Sequence, residues 1–435
     1  MADNTLSSWA NFLFEMQAKT VQVFPTEAPF LAELSGVGDP NTVDNGRITP
    51  DGNREIFSGK WVRVPVVLAQ LPAGGYVSET QTWNVPQQLS TTEAHINLAD
   101  LVQPFSLSVD VERDSFNNSA AAAVETLTDQ ARISLARLEN WGMLGDGTGK
   151  ISDITGGTSP GLTIQVSTTG VAPMDILLPG TVWDVLTKSN GADPGNGKRR
   201  KIASVSDSTT TQTVTFDTNA QASDGASGNI TFSTSEGIYI PGSFSTAGSG
   251  PACQGLEQAA AVTGTFENIN KANVQQWQGT DGRIGDTTTL PLSQQMLDKA
   301  VRVGRRSGLG KWDFGIGDPA VIDLFKQGLY SQVRYEPQNA KLQSGFPGIV
   351  YDGADAPIVL VKEPSHKKGG VKLIDKASFQ LYGDKAGPTF LNDDGAMFRR
   401  FSRTLVKEAE LLDRFQMGVK KCNTIIFLNN LQQAS

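Results

Sequence analysis

The stretch ENWGMLGDGTGKI, residues 139–151, sets Gly145, Gly147 and Gly149 close ahead of a lysine, the composition of a loop that cradles phosphate. A P-loop needs a glycine five positions before its Gly-Lys pair and a Ser or Thr after the Lys. Here those places hold Leu144 and Ile151. A phosphate loop also leaves a strand and opens a helix, whereas this one closes a helix-like run and opens a Ser/Thr/Gly-rich stretch. It reads as a glycine-rich helix stop followed by a turn. GTSPG, residues 157–161, matches the Gly-x-Ser-x-Gly nucleophile elbow, which joins a strand to a helix. LTIQVSTT follows it and alternates like a strand, and Pro160 holds Ser159 extended. The two histidines that would serve as base are His95, in an alternating stretch, and His366, in a PSHKKGG turn expected to be exposed. Cys253 and Cys422 stand far apart, with neither a disulfide framework nor zinc-ligand spacing, which suits a reducing compartment. Asp44, Asp51, Glu55, Asp393 and Asp394 lie near glycines without calcium-loop spacing. The dense basic run GKRRK, Gly197 to Lys201, carries no interleaved aromatic, so a solvated loop tip or a contact with an acidic neighbour ranks above nucleic-acid binding. The residues thus assign no catalytic, cofactor-binding or metal site, and no enzyme.

The elements around these motifs say more. The 435 residues carry a net charge of −8 and an apolar fraction of 38%, with 45 glycines, a balance that suits β-structure and long surface loops over a helical bundle. An acidic chain has no general nucleic-acid footprint. The first residues, MADNTLSSWANFLFEMQ, predict no signal peptide, and no run approaches the length of a membrane span. Residues 1–54 mix short apolar runs with Pro25 and Pro29 and read as an arm that packs along something else. In 55–112, KWVRVPVVLAQL and TEAHINLADLVQPFSLSVDVER alternate on either side of PAGGY, predicting a long β-hairpin with its tip there. A two-stranded ribbon of that length needs support from its own body or a neighbour.

Asn117, Asn118 and Ser119 cap a predicted helix of six to seven turns whose stripe is Val124, Leu127, Ala131, Leu135, Leu138 and Gly142, with Glu125, Asp129, Arg132, Arg137 and Glu139 off the stripe. From 158 to 252 short alternating runs and turn-rich links predict a small β-barrel or sandwich inserted into a continuing domain. Beyond it come helices LPLSQQMLDKAVRVGRR, 290–306, and DPAVIDLFKQGL, 318–329, the second capped by Asp318, then strands APIVLVKEP, GGVKLID and SFQLYG and one long late alternating run.

The order of arm, ribbon, long helix ending in LGDGTG, mixed α/β body and late strands resembles the major capsid protein of tailed bacteriophages. The resemblance rests on DSFNNSAAAAVETLTDQARISLARLENWGMLGDGTGKI and GGVKLIDKASFQL and covers nearly the whole chain except 158–252. It implies an α+β capsid fold. Residues 1–54 are the N-terminal arm, 55–112 the extended loop, 113–157 the peripheral domain with its spine helix, and 158–252 the inserted β-domain. The peripheral domain resumes over 253–285, the axial domain spans 286–390, and 391–435 holds late peripheral strands and a final axial strand. It also implies that arm and loop reach over neighbouring subunits, which places Phe24, Phe30, Trp61, Arg63, Gly74, Gly75, Tyr76 and Trp83 at subunit contacts. The expected product is a virion shell of hexamers and pentamers, assembled in the host cytoplasm around double-stranded DNA that is held without sequence reading. Its partners would be copies of itself, a separate scaffold protein, a portal and a decoration protein, with no membrane and no cofactor. The ribbon tip has no lysine, so the lysine–asparagine cross-link of some members is not assigned. The alternatives are an encapsulin-like nanocompartment shell and, further off, a β-rich carbohydrate-binding protein.

Overall fold

The computed structural model describes residues 29–35, 47–48, 57–58, 61–67, 91–108, 119–157, 161–167, 176–193, 199–207, 211–217, 232–246, 250–283, 286–308, 310–330, 340–341, 347–351, 357–385, 387–391, 399–400 and 406–433. In chain order the longer elements are α1 (Pro29–Ser35), β1 (Trp61–Val67), β2 (Thr91–Asn97), β3 (Ala99–Ser108) and α2 (Ser119–Leu144). Then come β4 (Lys150–Gly157), β5 (Thr163–Ser167), β6 (Val182–Thr187), β7 (Arg200–Asp207), β8 (Thr211–Phe216), β9 (Glu236–Tyr239) and α3 (Leu256–Ala260). The last third holds α4 (Gln294–Ser307), β10 (Phe314–Gly317), α5 (Pro319–Tyr330), β11 (Pro347–Tyr351), β12 (Ile358–Lys362), β13 (Val371–Ile374), β14 (Phe379–Gly383), β15 (Val406–Val419) and β16 (Ile426–Leu428).

β15 organises the first sheet. Its residues 406–415 pair antiparallel with β3 along one edge, while β14 and the short pieces 389–390 and 399–400 pair along the other. α2 lies across this sheet through Ala131 and Leu135, which meet Leu411, Leu101, Phe105 and Phe390. The stripe expected from the sequence therefore finds a sheet to bury it. The last turn and a half departs from that stripe, because Glu139 and Asn140 are buried as fully as Leu135. That end of the helix is enclosed on all sides.

The second sheet runs in the order 280–281, β16, β13, β10, β12, β11, 340–341, with β10 parallel to β12 and antiparallel to β13. α4 and α5 cover it with Leu297, Ala300, Val301, Val321 and Phe325 against Ile358, Leu360, Leu373 and Leu428. Asp318 caps α5 by accepting from the Ala320 N–H at 3.0 Å, and its other oxygen accepts from Gly369 N at 2.7 Å. The boundary expected at 390 shifts: β14 belongs to the first sheet, and 280–281 joins the second through β16.

The insertion is a closed six-stranded barrel in the order β8-β7-β6-β9-β4-β5. Ile154, Ile164, Val166, Val185, Ile202, Val214 and Ile238 fill it, a packed interior and not a channel. It begins at Lys150, so the first strand lies ahead of the boundary expected at 158. GTSPG falls at a strand-to-strand turn, since β4 ends at Gly157 and β5 opens at Thr163; residues 158–160 lie outside the described residues. The GDGTGK loop is the barrel's entry. Asp146 Oδ1 accepts from Thr148 N and Oγ1 at 3.0 and 2.5 Å, and Lys150 turns to Asp153 at 3.3 Å. Gly149 has φ +72, and a Cβ there would lie 1.9 Å from Ser243 Oγ, because entry and exit strands run side by side at this point.

The described part of the ribbon is seven residues on each strand. β1 pairs with β2 from Trp61↔Asn97 to Val67↔Thr91. The expected tip, PAGGY at 72–76, lies with the rest of 68–90 outside the described residues. β3, the remainder of the expected second arm, leaves the ribbon for β15 because ten residues of pairing were available there.

Candidate functional site

The side chains that chemistry would call on are committed to structure. His366, expected to be exposed, is buried. Burial, aided by the Lys372 ammonium, pushes its imidazole down to about 3, which leaves the ring neutral. Its Nδ1 faces Lys367 O at 2.9 Å and its Nε2 faces Lys372 Nζ at 3.3 Å, consistent with a ring that donates to the carbonyl and accepts from the ammonium. Lys372 in turn meets Glu257 at 2.6 Å and holds that carboxyl down at about 2. A base so weakened, with no hydroxyl hydrogen-bonded to it, suits a positioned core group. Both thiols are buried, and desolvation raises each, Cys253 to about 12 and Cys422 further still. Such thiols are poor nucleophiles. Among the described residues no group of three or more His, Cys, Asp or Glu is placed to hold a metal ion, and no helix is long and apolar enough to cross a membrane. The basic run turns inward where it is described: Arg199 pairs with the buried Asp184 at 3.3 Å and Arg200 is wholly buried, while Gly197 and Lys198 lie outside the described residues.

A cavity of about 260 Å³ opens between the barrel and the body, lined by Trp141, Lys150, Asp153, Ser167, Glu257 and Lys367. Each wall carries its own ion pairs, Lys150 and Lys188 on Asp153 and Lys367 on Glu257. It is a polar seam in which Asp153 and Glu257 are already ion-paired.

The part of the arm that is described docks on its own chain. The α1 amides of Phe30 and Leu31, orphaned by the helix start, donate to Glu363 Oε2 at 3.0 Å and Asn140 Oδ1 at 3.1 Å. Asn140 Nδ2 donates to Glu363 Oε1 at 3.2 Å, and Glu33 pairs with Lys376 at 2.8 Å. Phe30 itself is 0% exposed within the core of its own chain. The expectation that it contacts a neighbour is corrected: the same apolarity that suggested an interface is consumed by its own body. Glu363→Ala leaves two buried donors unpaired, and we expect a loss of about 2–4 kcal/mol, read as a lower denaturation midpoint and faster protease cutting ahead of residue 36. Cutting at the wild-type rate would dismiss this role for Glu363.

The ribbon has two different faces. Val62, Ala94 and Ile96 are buried inward, against Tyr382 and the core. The β2 backbone is fastened where His95 N donates to Glu267 O at 2.9 Å. Opposite them, Trp61, Arg63, Pro65 and Val67 of β1 share the outward face with Asn97, His95, Glu93 and Thr91 of β2. Trp61 and Val67 are 43% and 60% exposed. The Trp61 and His95 rings lie 5.9 Å apart, and His95 Nε2 sits 3.6 Å from Glu93. An outward row of Trp, Arg and Val on a strand has the composition of a binding face. Of the residues expected at subunit contacts, Trp61 and Arg63 stand here, while Phe24, Gly74, Gly75, Tyr76 and Trp83 lie outside the described residues. Sequence reading missed Glu267 and Glu363, two buried acidic residues that fasten the ribbon through a backbone carbonyl and the arm through a carboxylate. Neither lies in a pattern that distinguishes it from a surface glutamate.

No protein-family model matches the chain, and no curated protein matches it in sequence. The fold is found in solved structures. The chain superposes on one in the Cyanophage A-1(L) capsid asymmetric unit with a TM-score of 0.52, covering 95% of each chain at 13% identity. The capsid of Cyanophage P-SCSP1u gives a TM-score of 0.41 over 96% of this chain and 92% of that one at 13% identity. The holo-SrpI encapsulin complex from Synechococcus elongatus PCC 7942 gives 0.41 over 98% and 97% at 9% identity. The first likeness carries the fold assignment: an α+β phage-capsid fold, as the order of elements implies.

Proposed function

We propose that this chain is the structural subunit of a closed protein shell, the head of a tailed bacteriophage, built from hexamers and pentamers around double-stranded DNA. The observation that carries the proposal is the end-to-end match to a phage capsid chain, 95% of each, with a fold and not a local motif in common. The outward face of the ribbon agrees with it. A strand that turns Trp61 and Val67 to solvent beside Arg63 gains by covering them with a sister copy. Contacts between unlike surfaces of identical chains close into rings, and many modest contacts then add along the lattice. Scaffold, portal and decoration proteins are the partners such a head would take.

The test is assembly. The full chain, expressed with and without a scaffold protein, is expected to give closed particles or rings of five and six in electron micrographs. A monodisperse monomer under every assembly condition would overturn the proposal.

A further inference from the structure

The net charge of −8 hides a local reversal at one end of the body. α4 buries Leu297, Ala300, Val301 and Gly304 and turns Lys299, Arg302 and Arg306 to solvent. Steps of three and four residues set these cations on one stripe, about 10 Å long at about 1.5 Å per residue. The helix end abuts the segment 420–424, where Asn423 Nδ2 donates to Ser307 O at 3.0 Å. That contact brings the exposed Lys420 and Lys421 alongside, and the exposed Lys311 follows directly after the helix.

None of Lys299, Arg302, Arg306, Lys311, Lys420 and Lys421 has an ion-pair partner among the described residues; Arg305, beside them, is already partnered. The carboxylates at this end are occupied. Asp298 accepts from the Tyr351 hydroxyl at 2.6 Å, and Asp313 accepts from Lys376 N at 3.1 Å. Asp375 accepts from Lys311 N, Ala377 N and Ser378 Oγ at 3.3, 3.2 and 3.4 Å. The helix dipole accounts for a cation in the last turn. It does not account for Lys299, Arg302, Lys420 or Lys421.

We infer that this basic end, the exposed stripe of α4 with Lys311, Lys420 and Lys421, is a surface for the phosphodiester backbone of duplex DNA and faces the interior of the shell. The inference rests on the shell reading above. Its chemistry is backbone-only. Trp312, the aromatic residue next to the patch in sequence, is buried under it and offers nothing for base stacking. Among the described residues no exposed apolar anchor stands with the cations, as a protein partner would require; Leu309 lies outside the described residues. Each DNA strand presents a phosphate about every 3.4 Å of axis, so a stripe about 10 Å long spans roughly three. A contact of this kind is weak per copy, independent of sequence and sensitive to salt, as suits a wall that must hold DNA and still release it.

The experiment is a titration of a labelled mixed-sequence duplex with the full chain as free capsomers and as closed particles, between 50 and 200 mM NaCl. Capsomers are expected to bind, with the affinity falling steeply as salt rises, and intact particles are expected to exclude duplex added outside. In Arg302→Gln/Arg306→Gln/Lys421→Gln the apparent Kd should rise at least tenfold and the log–log salt slope become shallower by about 2.7, roughly 0.9 per cation removed. Arg132→Gln, on the exposed side of α2, should change neither. An unchanged slope in the triple variant overturns the inference, and so does equal binding by closed particles. Binding of polyglutamate without binding of duplex overturns it too, in favour of an acidic protein segment. Micrographs of the same samples report on the shell reading separately, because the variant is expected to assemble. If wild type never assembles, the shell reading fails whatever the capsomer titration gives.

Discussion

Trp61→Glu is expected to yield a folded subunit that assembles into fewer than one-tenth as many closed particles as wild type. Trp61 lies on the outward face of β1, 43% exposed, and its ring contact within the chain is with His95 at 5.9 Å. Removing the indole therefore costs the isolated subunit little. On the shell proposal the same position would be a buried aromatic anchor in the lattice, the kind of residue whose loss costs about 2 kcal/mol or more per contact. A carboxylate in its place adds the penalty of burying an unpaired charge. Each copy bears that cost, so the loss compounds around every ring. Sedimentation and electron microscopy measure the particles, and thermal denaturation confirms the fold. Val67→Glu, on the same face and 60% exposed, should act in the same direction. Particles at the wild-type yield from both variants would show that this face is not an interface, and the assembly surface would have to be sought elsewhere.

The second large effect concerns Glu267 and pH. This carboxyl is 1% exposed, at the centre of a two-residue hairpin turn in which Glu267 and Asn268 have φ of 49° and 66°. Asn suits such a left-handed position and Glu does not, so the surroundings must hold it. Val419 N donates to Glu267 Oε1 at 2.8 Å, Gln254 Oε1 accepts from its amide at 3.2 Å, and its carbonyl fastens β2 through His95 N. Lys271, Cys422 and Tyr382 are the titratable groups around it. Lys271 is largely taken up elsewhere, its ammonium donating to the carbonyls of Gln258, Ala259 and Ala261 at 2.8, 2.6 and 2.8 Å, which closes the end of α3.

Desolvation raises Glu267 from 4.5 to about 8, against the lowering effects of the Val419 amide and Lys271. A carboxyl raised on folding holds its proton in the native state after the unfolded chain has lost it. Its contribution to stability is whole below pH 4.5, declines above it, and is gone above about 8. At roughly 1.4 kcal/mol for each pH unit, that interval is worth at most about 5 kcal/mol, or a fall of roughly 10 °C in Tm. Glu267→Gln keeps the shape and cannot ionise. It should be close to wild type at pH 5, more stable at pH 9, and nearly flat between. Parallel pH profiles of the two proteins would defeat this account of Glu267.

The residues that could be read correctly from sequence are those whose pattern is local. The stripe of α2, the cap at Asp318 and the strands Ile358–Lys362 and Val371–Ile374 each follow from spacing and residue type along one segment. The ribbon shows where that stops. Residues 91–108 read as part of one strand from their sequence, yet β2 pairs with β1 and β3 with β15, about 300 positions further on. Alternation states that a segment will be a strand. It does not state which edge the strand will join.

By itself the sequence determined the fold class, with its long helix, β insertion and mixed body in that order, and the absence of motif spacing for phosphate, zinc or an activated serine. Only the tertiary structure decided which apolar and charged residues are spent within the chain and which are left over. Phe30 and Trp61 are both aromatic residues in short apolar stretches, but the first is sealed behind Glu363 and Asn140 and the second faces solvent. Glu139, Glu267 and His366 look like surface residues and are buried, while Lys299, Arg302 and Arg306 stand in the open. The reason is physical: burial and pairing are set by what the rest of the chain brings to a position from a distance, and no local spacing encodes that neighbour.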